Sequence, residues 1–380
     1  MSDTPTKPAF VKGLAGVVAA QTAISLVDGP NSTLVYRGYN INELAEKSTY
    51  EEVCFLILYG RLPSAVELRE FTSQLVRNRV LPPQMYDFLR TLPVNTVPMS
   101  ALRAAVAELA FYEPDIETID IAITTRKTIR LISQMSVLLG AYHRIRNGKE
   151  PVLPRADLTH AENMLYMLNG EKPSAEFAKA MDLYLILLAD HSLNASTFTA
   201  RVVASTQADL HSAISSAYAA LKGPLHGGAN EATMNMLLEI ADPAKVDEWV
   251  DNAFATKRTI MGFGHRIYKN GDPRAAILNV WAQKIGTIIG QPKYYEMSRL
   301  VEKAVLRHRE LHPNVDYYSA SMLWGIGIPI DLFTPMFACS RVVGWSAHVI
   351  EQYKDAALIR PAADYIGPVG LHYTPLSERN

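Results

Sequence analysis

Cysteine is nearly missing from this 380-residue chain: Cys54 and Cys339 lie far apart inside apolar segments, which leaves no disulfide framework and no thiolate metal cage. Such usage points to a reducing compartment. Neither sign of charge is in excess, with 37 Lys and Arg against 38 Asp and Glu and a net charge of −1, so there is no basic field to collect nucleic acid or an anionic membrane. Any anion site must be small and local. No uncharged apolar run reaches the roughly 18 residues of a membrane span, and residues 1–8 show neither a secretion signal nor an Arg-rich transit segment, so a cytoplasmic protein is expected. There is no P-loop and no Gly-x-Ser-x-Gly elbow; residues 325–329 lack the third glycine of a dinucleotide loop, and His308 and His312 share a helical face without the zincin pattern or a third ligand. No metal is therefore expected. With 48% hydrophobic and 20% charged residues, the composition is that of a folded globular chain, and at about 150 residues per domain the length suggests two to three domains.

What the sequence does contain is helical punctuation. Thr49-Tyr50-Glu51-Glu52 and Ser64-Ala65-Val66-Glu67 read as capping boxes, with Gly60 closing the first helix. Residues 175–190 are apolar almost all round, residues 197–221 and 231–240 carry a helical period, and Thr334 before Pro335 predicts a capped helix start. Alternating patterns are scarce. The clearest strands are residues 23–27 and 33–36, split by the turn signal Asp28-Gly29-Pro30-Asn31. The chain thus reads as all-α with a short N-terminal β-hairpin and no internal repeat. Breaks at residues 222–228 and at His312-Pro313 suggest two packed units: residues 1–225 and 322–380 as a large helical domain, 226–321 as a small one.

Several polar residues sit where structure alone gives them little to do. In Gly262-Phe263-Gly264-His265, two glycines free the backbone around His265; Asp272, Pro273 and Arg274 then read as N-cap, first and second helical positions. A cation in a first helical turn opposes the dipole by a few tenths to about 1 kcal/mol unless an anion shares the site. Either Arg274 binds a carboxylate or phosphate there, or it pairs with a nearby acid while His265 packs. His226, in Gly223-Pro224-Leu225-His226-Gly227-Gly228, precedes a helix whose dipole keeps the ring neutral and suited to donate to an oxyanion; its structural alternative is a satisfied turn histidine. Asn194 and Ser196 read as capping residues, whereas His191 has no such excuse. Asp316 after Asn314-Val315 reads as an N-cap. Arg341 lies inside an apolar helix with His348 on the same face and needs an anionic partner, from protein or ligand. Arg360, before Pro361, is extended and solvated unless used.

Together these segments resemble the citrate synthase family: Gly262-Phe263-Gly264-His265 running on to Asp272-Pro273-Arg274, the Gly-Pro-Leu-His-Gly-Gly-Ala-Asn segment around His226, Asn314-Val315-Asp316 and Ser340-Arg341 follow in the family's order. The resemblance runs from Leu26-Val27-Asp28-Gly29 to Arg360-Pro361. It implies a mostly helical dimer whose large and small domains close over a cleft, and an acyltransferase of the tricarboxylic acid cycle that condenses acetyl-CoA with oxaloacetate and water to citrate. By resemblance Asp316 is the base, His226 the donor to the enolate, and His265 the donor to the ketone of oxaloacetate. His191, Arg274, Arg341 and Arg360 match the carboxylate binders, Arg360 coming from the partner subunit, and guanidinium forks suit that task. Lys269 matches a position that meets CoA phosphates. No cofactor beyond acetyl-CoA as co-substrate is implied. Ser192 departs from the family's usual Glu after the histidine. The resemblance also implies a dimer without the inhibitor domain of the longer NADH-sensitive hexamers. Two alternatives share or bypass these motifs: 2-methylcitrate synthase using propionyl-CoA, which differs by one methyl pocket worth about 1–3 kcal/mol, and a non-catalytic helical scaffold that binds a metabolite.

Overall fold

Apolar residues at helical spacing, with few alternating runs, fold here as helices packed on helices. The computed structural model describes residues 10–379; residues 1–8, read above for export signals, lie outside them. A three-stranded antiparallel sheet comes first, β1 (Ser25–Asp28), β2 (Thr33–Tyr36) and β3 (Tyr39–Asn40), in the order β1-β2-β3. Among the described residues sixteen α-helices follow: α1 (Ile41–Lys47), α2 (Tyr50–Tyr59), α3 (Ala65–Arg77), α4 (Pro83–Thr91), α5 (Pro98–Leu109), α6 (Ile121–Arg146), α7 (His160–Asn169), α8 (Ala175–Leu188), α9 (Ala195–Ala204), α10 (Leu210–Leu221), α11 (Ala229–Ile240), α12 (Val246–Ala255), α13 (Pro273–Ile288), α14 (Lys293–His308), α15 (Val315–Ile326) and α16 (Phe333–Asp355). Among the described residues no helix is long and apolar enough to cross a membrane.

The core gathers around α16. Every residue from Phe333 to Ile350 is buried, as its lack of a polar face demands, and α6, α8, α9 and α10 pack around it. Gly344 sets one of these approaches: a Cβ there would stand 2.3 Å from the Ala189 carbonyl oxygen and 2.5 Å from Asp190 Oδ1. The hairpin pairs Ser25 with Tyr36 and Asp28 with Thr33, and its turn is held by the Asp28 carboxylate, which accepts from Asn31 N at 3.1 Å and from Asn31 Nδ2 at 2.8 Å. That turn lies against the loop that carries His265. A Cβ on Gly29 would stand 2.5 Å from the Ile267 carbonyl oxygen, and Asn270 Nδ2 donates to Pro30 O at 3.3 Å.

Local expectations fared unevenly. The Ser64 capping box is complete, and Gly60 closes α2 at φ 79°. At Thr49 only half of the box forms, because the Glu52 carboxylate accepts from Ser48 Oγ instead of from the cap. The first strand starts at Ser25 rather than at residue 23, and β3, two residues long, is too short to show alternation. The helix read over residues 197–221 is two helices, broken where Gln207 turns left-handed at φ 63° and restarted by Asp209, whose carboxylate accepts from Ser212 N. Thr334 caps nothing: its hydroxyl donates to Gly227 O and to the Glu231 carboxylate, and α16 begins one residue earlier. Asp316 is not an N-cap either. Asn314 takes that role, accepting from Asp316 N at 3.0 Å, which leaves the Asp316 side chain free. The expected domain limit at residue 321 falls inside α15, whose end is the left-handed Gly327 at φ 90°.

Candidate active site

Two glycines in left-handed backbone, Gly262 at φ 82° and Gly264 at φ 78°, let the loop before α13 bend tightly. A Cβ at 262 would also meet Tyr317 Cδ2 at 2.7 Å and Thr233 Oγ1 at 2.8 Å. The bent loop is laced to the segment before α15. Gly264 N donates to His312 O at 2.9 Å, Asn314 N to Gly262 O at 2.9 Å, and Asn314 Nδ2 to Gly264 O at 3.0 Å. Asn314 therefore does two jobs, capping α15 and tying down the loop, and so fixes His265 relative to Asp316. The Asp272 carboxylate adds a second tie, accepting from Arg274 N at 3.0 Å at the start of α13 and from Val315 N at 3.1 Å at the start of α15.

Hydrogen bonds assign the tautomers of two histidines. His265 Nδ1 accepts from Ile267 N and Tyr268 N, both at 3.1 Å, so in the neutral ring Nε2 carries the proton. His226 Nε2 accepts from Ser196 N at 3.2 Å and lies 2.9 Å from Ser196 Oγ, which leaves Nδ1–H as its donor. The loop holding His226 is pinned by Gly227, where a Cβ would stand 2.3 Å from Leu221 O. Burial, with Arg341 adding to it, lowers the pKa of His226 to about 4. Burial and then Arg274 do the same to His265, also to about 4. His191 is driven well down by burial, Arg274 and Arg341; its ring is 5.2 Å from that of His265, and its Nε2 is buried without a protein partner. All three rings are neutral at pH 7.

The two arginines differ. Arg274 forks onto Asp272, Nε at 3.0 Å and Nη2 at 2.8 Å, both side chains buried; burial works against each charge, but the mutual attraction prevails and holds Arg274 up and Asp272 down. So the nearby acid of the structural alternative exists, in the N-cap itself. Arg341 is 1% exposed, donates Nε to Leu188 O, lies 4.6 Å over the Phe337 ring, and makes no ion pair among the described residues. Burial lowers its pKa to about 10, with Asp190 acting the other way. Asp316 accepts no side-chain hydrogen bond; the surrounding protein raises its pKa to about 6, against the pull of Arg274 and Arg341.

Arg341 is the common neighbour: its field reaches Asp316, His226 and His191. Around Arg341, well inside α16, the chain brings together His191, His226, His265, Arg274 and Asp316 from helix ends and loops. Lys269 stands exposed at the rim, its Nζ donating to His265 O at 3.1 Å. Arg360 is elsewhere, exposed in the segment after α16 with no hydrogen bond or ion pair among the described residues. Sequence reading missed Ser196 as the partner of His226, and Asn314 as the lace between loop and helix. Ser196 already had a capping explanation, sequence reading assigns the cap of α15 to Asp316 instead of Asn314, and nothing in sequence spacing reports a contact across 30 or 50 residues. The arrangement pairs a carboxylate that titrates near neutrality with two aimed N–H donors and two buried cations, a set able to remove a weakly acidic proton beside a carbonyl and to hold a polyanionic partner.

A family model described as citrate synthase, C-terminal domain, matches residues 13–362. Citrate synthase 2 of Bacillus subtilis is 45% identical over 369 residues, 97% of this chain and 99% of that one. A citrate/2-methylcitrate synthase of the same organism is 40% identical, covering 95% and 98%. Among solved structures, the citrate synthase of Thermoplasma acidophilum in ternary complex with carboxymethyl coenzyme A and oxaloacetate superposes with a TM-score of 0.93 at 35% identity, covering 98% of this chain and all of that one.

Proposed function

The chain belongs to the citrate synthase family, and from that premise we propose how its own residues make citrate from oxaloacetate, acetyl-CoA and water. Asp316 removes a methyl proton from acetyl-CoA while His226 Nδ1–H donates to the thioester oxygen, so that the enolate forms under a hydrogen bond. The enolate carbon attacks the ketone of oxaloacetate, and His265 Nε2–H stabilises the alkoxide. His191, Arg274 and Arg341 bind the two carboxylates. Water then hydrolyses the thioester of citryl-CoA and releases CoA. The observation that carries this reading is Asp316 itself: it is freed from capping by Asn314, and its pKa of about 6 keeps it ionised at pH 7 yet basic enough to accept a proton.

The test is thiol release from acetyl-CoA and from propionyl-CoA, each with oxaloacetate. Faster turnover of acetyl-CoA is expected; faster turnover of propionyl-CoA would make the chain a 2-methylcitrate synthase, the reading that the Bacillus subtilis relative with both names keeps in view.

Residues 226–321 act as the small domain that closes over the substrates, with Lys269 at its rim meeting CoA phosphates. The working unit is a homodimer in the cytoplasm, in which Arg360 serves the partner's oxaloacetate site. Supporting this, the segment after α16 leaves Ile366 94%, Tyr373 83% and Val369 81% exposed, an apolar surface that a second copy would cover. Sedimentation of the purified protein tests the dimer, and a monomer with full activity would sink the role given to Arg360.

A further inference from the structure

One buried carboxylate beside this site takes no part in the chemistry above. Asp190 is 0% exposed and directly precedes His191. Its Oδ2 accepts from Ser25 Oγ at 2.5 Å and from Ser192 N at 2.9 Å, and Ser192 N also donates to Ser25 Oγ at 2.9 Å. Its carbonyl oxygen accepts from Tyr36 Oη at 2.8 Å. Ser25 and Tyr36 are paired across β1 and β2, so the base of the hairpin grips this residue from two sides. On the far side, Asp190 Oδ1 lies 3.3 Å from His348 Nε2 on α16, the same helix that carries Arg341. His348 Nδ1 meets Arg201 Nη1 at 3.2 Å, and Arg201 is held in turn by Glu351 at 2.7 Å and Gln352 at 3.1 Å. Gly344, without a side chain, lets α16 come this close.

These bonds converge on a turn with an unusual shape. Ser192 is left-handed at φ 50°, a conformation that a residue with a side chain keeps only when its surroundings hold it there. The grip on Ser192 N supplies that hold, and the turn sets the direction of the preceding His191 ring, whose Nε2 is buried with no protein partner. Asp190 is also the negative charge that acts most strongly on Arg341, which makes no ion pair among the described residues.

We propose that Asp190, held by Ser25 of the hairpin, is a positioning residue for oxaloacetate: it aims His191 Nε2 and seats the Arg341 guanidinium before the diacid arrives, without touching it. This rests on the assignment of His191 and Arg341 as carboxylate binders. Misplacing a binding group by an ångström is enough for large losses, and a loss confined to oxaloacetate binding separates positioning from general support.

The experiment compares the full-length protein with Ser25→Ala, Ser25→Thr and Asp190→Asn, by steady-state kinetics, calorimetric titration of oxaloacetate and thermal melting. Ser25→Ala is expected to raise the oxaloacetate KM and dissociation constant about tenfold while kcat stays within about twofold, and Ser25→Thr, which keeps the hydroxyl, to return both to within about twofold of the parent. Asp190→Asn weakens oxaloacetate further. An unchanged oxaloacetate affinity in Ser25→Ala, or a lowered melting temperature with both substrates' KM affected alike and no recovery in Ser25→Thr, overturns the proposal. If Asp190→Asn does not fold, the Ser25 pair still decides. Absence of thiol release by the unaltered protein would instead overturn the functional reading, and the titration would still rank the variants.

Discussion

The helix starts of α13 and α15, tied together beside the site, each carry an aspartate, and the two acids behave oppositely. At α13, Asp272 caps the helix and clasps Arg274, and its pKa is held below the usual carboxylate range although burial pushes it up. At α15, Asp316 lies two residues inside the cap, its capping task is done by Asn314, it makes no ion pair among the described residues, and its pKa rises to about 6. Burial acts in the same direction on both. What separates them is a partner at hydrogen-bonding distance. The first acid is thereby fixed as structure and the second kept available for proton transfer, and a single asparagine decides which role falls to Asp316.

The largest effect should come from removing the available acid. Asp316→Asn is expected to lower kcat by about 10²–10⁴-fold, the usual range for a general base, with oxaloacetate affinity within about twofold by calorimetry; an equal loss of both would erase the distinction drawn here. Breaking the clasp should act on stability instead. Asp272→Ala leaves Arg274 buried without its counter-charge and costs about 3–5 kcal/mol in denaturant unfolding; a loss below about 1 kcal/mol would mean that the pair is no clasp.

The unpaired cation gives the next test. Arg341→Ala removes charge-assisted bonds worth about 1.5–3 kcal/mol, which should raise the oxaloacetate dissociation constant roughly ten- to a hundredfold with a smaller change in kcat, as read by titration and single-turnover rates.

The smallest effect is in pH dependence, and its sign differs between the two acids. Asp316 binds its proton more tightly in the folded chain than its ordinary value of 3.8, so it stabilises the fold fully below that value and loses the contribution as pH rises through about 6. Asp272, with its value lowered, contributes above 3.8 and loses the contribution as pH falls. Activity should climb through about pH 6 as Asp316 ionises. Melting curves for Asp316→Asn and Asp272→Asn against pH should slope in opposite directions relative to the parent; parallel curves would show that the two acids share one environment.

Much of this was legible in the sequence for definite reasons. The apolar run of α16, the Ser64 box, the 28–31 turn and the Asp272-Pro273-Arg274 start each rest on local rules, and local rules survive folding. The motif resemblance drew attention to six side chains that the fold brings near one another. Legibility stopped where a residue served two purposes. Asn194 caps α9 as expected, its Oδ1 accepting from Thr197 N at 3.1 Å, yet Ser196, whose hydroxyl lies 2.8 Å from the same oxygen, also meets His226 and receives Trp345 Nε1 at 3.1 Å. Thr334 had the spacing of a cap, but tertiary partners on Gly227 and Glu231 outcompeted the helix end. For Arg274 the sequence allows either pairing with an acid or waiting for an anion, and the structure supplies the acid while leaving the cation close enough to act on His191 and His265.

The left-handed Ser192 has a consequence for how this protein can change over time. Backbone held at φ 50° by a residue with a side chain stores strain of order 1 kcal/mol that glycine would release. A drift to glycine there should give a hardier molecule and a looser grip on its diacid, so durability and affinity pull this one position in opposite directions.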